Sequence, residues 1–92
     1  ENYHWLELKG IKGYNGWVYG DADFFAFETE LYFILVEKYD LQNWVKNNII
    51  KEYVATPQLY KLYKRKNNLD ILTLVKSIDL CFISSKIIKK NS

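Results

Sequence analysis

The chain has 92 residues, 49% of them hydrophobic and 17% aromatic, with a formal net charge of +2. That is one small domain, burying roughly 60–65% of the surface its unfolded chain exposes. A single cysteine, Cys81, excludes an internal disulfide and fits a reducing compartment. No apolar run approaches the ~20 residues that span a bilayer, and no signal-peptide pattern is visible, so a cytoplasmic protein is expected.

His4 to Lys9 alternates, with His4, Leu6 and Leu8 on one side and Trp5, Glu7 and Lys9 on the other, which predicts a strand. Gly10 to Gly16 reads as a loop and Trp17 to Tyr19 as a short extended piece. Two short apolar runs, Asp23 to Glu28 and Leu31 to Glu37, flank a reversal at Thr29 and Glu30. Both are rich in aromatic and branched residues and too short for comfortable helices, so they predict an antiparallel hairpin. Phe25 or Phe27 and Ile34 or Val36 are expected beneath the helix that follows.

That helix is expected from Asp40 as N-cap, with Leu41, Trp44, Val45 and Ile49 on its packed face and an end near Asn47 and Asn48. Lys51 to Gln58, which holds the only proline, Pro57, reads as a linker. Leu59 to Arg65 fits an imperfect strand or a helical turn. Asn67 and Asn68 signal a turn, and Ile71 to Val75 is a branched run, so a second hairpin across the asparagines is the preferred pattern. Ser77 is a candidate cap for a short helix over Ser77 to Leu80, and Ser84 to Ser92 is a Lys-rich tail expected to fray. The sum is an α+β domain with a mainly antiparallel meander and one packed helix. With no Met, and with Glu1 leading into a strand, the chain reads as the C-terminal part of a longer protein.

The charge is unevenly distributed. Residues 1–50 carry four Lys/Arg against eight Asp/Glu, a net of −4, and residues 51–92 carry nine against three, a net of +6. A nucleic-acid protein with an acidic metal site would show such an asymmetry, and so would a lysine-rich solvated surface.

Glu7 and Lys9, two apart on a strand, would project to the same side. A carboxylate there can hold Mg²⁺, a hard cation that takes oxygen ligands, and an ammonium beside it can stabilise a phosphate or sit by an attacking water. The same spacing also makes an ordinary surface ion pair. Asp21 and Asp23 are turn residues, or a second carboxylate pair if their strand neighbours the first. Lys61, Lys64, Arg65 and Lys66, interleaved with Tyr60 and Tyr63, suit phosphate neutralisation and stacking, or a solvated strand edge. His4 and Cys81 read as structural, the three tryptophans as core, and no Gly-rich phosphate loop occurs.

Glu7-x-Lys9 on a strand resembles the second half of the PD-(D/E)XK motif of restriction-endonuclease-like nucleases. The runs HWLELKGIKGYNGWVYGDADFFAFET, ILVEKYDL and LYKLYKRKNNLDILTLVK resemble small phage and mobile-element proteins of that superfamily, over most of residues 4–80. The resemblance implies a restriction-endonuclease-like core, DNA as partner, Mg²⁺ as cofactor, and phosphodiester hydrolysis with Glu7 as a metal ligand and Lys9 assisting. The motif also needs an Asp upstream, and the six residues before Glu7 contain none. Either that Asp lies in a preceding segment or the chain is inactive, with Glu7 a supporting carboxylate. The alternative is a non-catalytic phage or mobile-element interaction or inhibitor protein with an aromatic binding surface. Self-association is open in both cases.

Overall fold

Aromatic and branched residues at alternate positions put one face of each central strand into the core. In the computed structural model, which describes residues 2–91, Phe24–Glu28 (β2) and Tyr32–Glu37 (β3) form the expected antiparallel hairpin. Phe25, Phe27, Ile34 and Val36 are buried while their neighbours Phe24, Ala26 and Glu37 face outward. The turn is closed by Thr29, whose backbone N–H and hydroxyl both donate to the Tyr32 carbonyl at 2.8 and 3.1 Å, and whose hydroxyl accepts from Tyr32 N–H at 3.0 Å.

Tyr3–Lys9 (β1) belongs to a different sheet. It pairs antiparallel with Ile71–Lys76 (β6), which is followed in the sheet by Lys61–Tyr63 (β5) and Ile50–Val54 (β4). The β5–β6 pairing across Asn67 and Asn68 is the second hairpin expected from the sequence. The linker assignment for residues 51–58 is corrected in its first part. Ile50–Val54 is a strand, parallel to β5, fixed at its start by the Ile50 N–H donating to the Tyr60 carbonyl at 2.7 Å.

The tail is corrected as well. Lys86–Lys89 (β7) adds to the free edge of β3, and the Ser85 and Lys90 N–H groups donate to Leu35 and Leu31 carbonyls at 2.9 and 2.8 Å. Ile87 and Ile88 supply the branched side chains that a strand tolerates well. Ser92, the end of that tail, and Glu1 lie outside the described residues. The result is an α+β domain with one mixed four-stranded and one antiparallel three-stranded sheet among the described residues, in place of a single meander.

The helix after the hairpin is Lys38–Asn48 (α1), with its N-cap at Glu37, three residues earlier than Asp40. Here β3 runs straight into α1, and the Lys38 N–H is satisfied by the Asp23 carbonyl at 2.9 Å. A backbone acceptor therefore does the work of a capping side chain. Asp40 sits instead in the first turn, where its charge favours the helix dipole. In the same way, Ser77 opens Ser77–Ile83 (α2) as its first helical residue and not as its cap. Asp79 closes that end by accepting from the Lys76 N–H at 3.1 Å. Trp17 to Tyr19 is a 3-10 turn and not an extended piece.

One core joins the two sheets and both helices: Leu6 and Val75 from the first sheet, Phe27, Ile34 and Val36 from the second, Val18 from the 3-10 turn, Leu41 and Val45 from α1, and Leu80 from α2. Burying a leucine such as Leu41 fully contributes about 2 kcal/mol. No helix among the described residues is long and apolar enough to cross a membrane.

Candidate functional site

The strand carrying Glu7 and Lys9 is irregular where it matters. Glu7 lies opposite Leu72 and Lys9 opposite Ile71, so two steps on β1 match one on β6. This bulge interrupts the alternation that would hold the two side chains in line. Its local cause is the loop after β1, which folds back against the strand: the Gly16 N–H donates to the Leu8 carbonyl at 3.1 Å. A Cβ at Gly16 would lie 2.3 Å from the Glu7 carbonyl oxygen, so only glycine allows the approach. The Trp17 N–H then donates to the Glu7 carboxylate at 3.3 Å. Lys9, beyond the bulge, lines a cleft together with Leu8.

Asp21 and Asp23 are exposed in the turn before β2, whose sheet does not include β1, so the condition for a carboxylate pair beside Glu7 is not met. Among the described residues no group of three His, Cys, Asp or Glu side chains is placed to hold a metal ion. Glu7, with one oxygen taken by Trp17, does not by itself make a Mg²⁺ site, which is built from carboxylate and phosphate oxygens in octahedral array.

The residues of the basic segment have divided roles. Lys61 pairs with Glu52 at 3.3 Å. Arg65 pairs at 2.5 Å with Asp70, which is 2% exposed and has its other oxygen, Oδ1, buried without a hydrogen-bond partner. A buried carboxylate with one cationic partner makes Arg65 a structural necessity for that turn. Tyr63 packs its ring on Trp5, with centroids 5.7 Å apart. Tyr60, in a left-handed conformation with φ 65°, packs on Trp44 and donates its hydroxyl to Asp79 at 2.5 Å. Burial, then the hydrogen bond and the negative charge of Asp79, push the Tyr60 hydroxyl up from 10.0 to about 12. Both tyrosines are half-buried and each is engaged by a neighbouring tryptophan ring. Lys64 and Lys66 are exposed along a shallow groove over Tyr53.

One concavity was not legible as a site in the sequence. An open cleft of about 800 Å³ lies between α1 and the first sheet. Its floor is apolar: Leu8, Val45, Ile49, Leu62 and Ile71. Its rim carries Lys9 from β1, Lys46 from the last turn of α1 and Lys51 from β4, with Tyr19, Tyr39 and Tyr53 between them. No Asp or Glu lines it among the described residues. Tyr53 belongs both to this cleft and to the groove bearing Lys64 and Lys66, so the two form one lysine-lined surface. Lys51 and Tyr53 both line the cleft although the register of β4 shifts between Ile50 and Tyr53, so strict alternation does not account for it.

No family model, curated protein or solved structure matches the chain.

Proposed function

We propose that this domain is a nuclease-like DNA-binding module that grips the phosphate backbone along the lysine-rimmed cleft. The observation that carries the reading is the convergence of Lys9, Lys46 and Lys51, from three separate elements, around a concavity lined by no acidic side chain among the described residues. Ammonium groups gathered against their mutual repulsion form a favourable site for a polyanion, and each phosphate they neutralise releases a counterion. Lys64 and Lys66 extend the same path past Tyr53.

The test is fluorescence anisotropy with labelled DNA across a salt series. Affinity should fall steeply with salt, with a log–log slope of about −0.9 per phosphate contact on duplex. Lys46→Glu and Lys51→Glu together should lower affinity by at least about tenfold at low salt. Absence of DNA binding at low salt would overturn the reading.

Hydrolysis is the second part of the proposal. It rests on the resemblance of Glu7-x-Lys9 to the PD-(D/E)XK motif and on the place of Lys9 in the cleft wall. Mg²⁺ binding would need oxygen ligands in addition to Glu7. If Glu7 is a ligand, Mg²⁺ or Mn²⁺ raises the melting temperature by mass action and Glu7→Gln removes most of the rise. Mg²⁺-dependent nicking of supercoiled DNA, lost in Lys9→Ala, would accompany it. No thermal shift and no nicking would leave a DNA-binding domain without catalysis.

A further inference from the structure

We infer that the cleft takes single-stranded DNA, with unpaired bases stacked on Tyr39 and Tyr53; this rests on the DNA-binding reading above and specifies its substrate. Several tyrosines are exposed, Tyr14 most of all, and Tyr39 and Tyr53 are the two most exposed of those that line the cleft. Tyr60 and Tyr63 are half-buried against Trp44 and Trp5, whereas Tyr39 is 75% and Tyr53 60% exposed on the cleft rim. Two exposed rings on one concave basic surface offer flat apolar faces to a partner.

Each ring also has a lysine ammonium over it: Lys38 Nζ lies 5.1 Å from the Tyr39 centroid and Lys64 Nζ 5.9 Å from that of Tyr53. A cation on one face of a ring holds its orientation and places positive charge beside whatever stacks on the exposed part. A nucleotide offers the complementary pair, a flat base for the ring and a phosphate for the ammonium. Tyr39 comes from the first turn of α1 and Tyr53 from β4, so the two platforms are fixed on different elements of the cleft. Between them the apolar floor of Val45, Ile49 and Leu62 suits bases and not phosphates. In a duplex the base faces are already stacked on one another, so a duplex can use the lysines but not the rings. Only an unpaired strand satisfies both sets of groups.

The experiment compares a labelled oligothymidylate of about 12 nucleotides with the matching duplex, by anisotropy at equal salt. The single strand should bind at least about tenfold more tightly, since a stacked base adds roughly 1 kcal/mol or more. Tyr39→Ala and Tyr53→Ala should each weaken single-strand binding by roughly 5- to 150-fold and leave duplex binding nearly unchanged. Tyr39→Phe and Tyr53→Phe, which keep the ring, should bind as wild type does. Circular dichroism establishes that each variant is folded, as expected for substitutions at exposed positions. Equal binding of strand and duplex, or alanine variants that bind the strand like wild type, overturns the inference while leaving the DNA-binding reading in place. Failure of both probes to bind overturns the two together.

Discussion

The turn region 61–70 and the cleft rim are both lysine-rich or arginine-rich surfaces, yet their charges are deployed differently. In the turn region, Lys61 is paired with Glu52 and Arg65 with the buried Asp70, while Lys64 and Lys66, exposed beside Tyr53, belong with the cleft surface. The cleft rim brings Lys9, Lys46 and Lys51 together with no acidic side chain in its described lining. The tyrosines divide the same way: Tyr60 and Tyr63 are packed against Trp44 and Trp5, while Tyr39 and Tyr53 are exposed. Charge density along the chain is therefore a poor guide to available charge. What distinguishes a binding surface is cations gathered without their counterions.

The largest effect that separates the two regions is on stability. Arg65→Ala leaves Asp70 buried without its cation and should cost about 2–3 kcal/mol in urea denaturation, less than the roughly 3–5 kcal/mol of a fully buried pair because Arg65 is itself 45% exposed. An unchanged midpoint would mean that the turn does not depend on the pair.

A smaller loss follows at the neighbouring junction. Tyr60→Phe removes the hydroxyl that donates to Asp79 and should lower stability by about 1–2 kcal/mol. This site also has a pH signature. The Tyr60 hydroxyl ionises near 10 in the unfolded chain and near 12 in the folded one. Above pH 10 the unfolded state gives up the proton more readily, so the stability from this group, complete below pH 10, declines as pH rises towards 12. Tyr60→Phe should flatten that part of the stability–pH curve. An equal decline in both proteins would assign it to other groups.

At the cleft the effect on folding should be least. Lys51→Ala, at an exposed strand position, should leave stability within about 0.5 kcal/mol of wild type while weakening DNA binding. A large loss of stability would move Lys51 into the structural class and dissolve the contrast.

Much of the fold was legible where pattern and pairing are local. Phe25 and Phe27 opposite Ile34 and Val36 announced the β2–β3 hairpin, and Leu41 and Val45 the inner face of α1. The strands that escaped, β4 and β7, are short edge strands. β7 is lysine-rich and pairs with the distant β3, whereas β4 pairs parallel with the next strand, β5, and Pro57 between them made it look like part of a linker. The candidate site divides similarly. Lys61 to Lys66 are conspicuous because they are contiguous, whereas Lys9, Lys46 and Lys51 meet only once α1 is laid across the sheet. The same-face expectation for Glu7 and Lys9 rested on strict alternation, and the bulge set by the close approach of Gly16 interrupts it. No local rule shows which glycine in a loop will return to touch the strand before it.

The most direct test of the contrast is the salt dependence of DNA binding in two double variants, both assayed well below their melting temperatures. Lys46→Ala with Lys51→Ala should reduce the magnitude of the log–log slope on duplex DNA by about two units, at about 0.9 per lost phosphate contact. Lys61→Ala with Arg65→Ala should be less stable but keep a slope within about half a unit of wild type. The opposite result, an unchanged slope in the cleft variant and a loss of about two units in the turn variant, would contradict that contrast and place the DNA on Lys61 and Arg65.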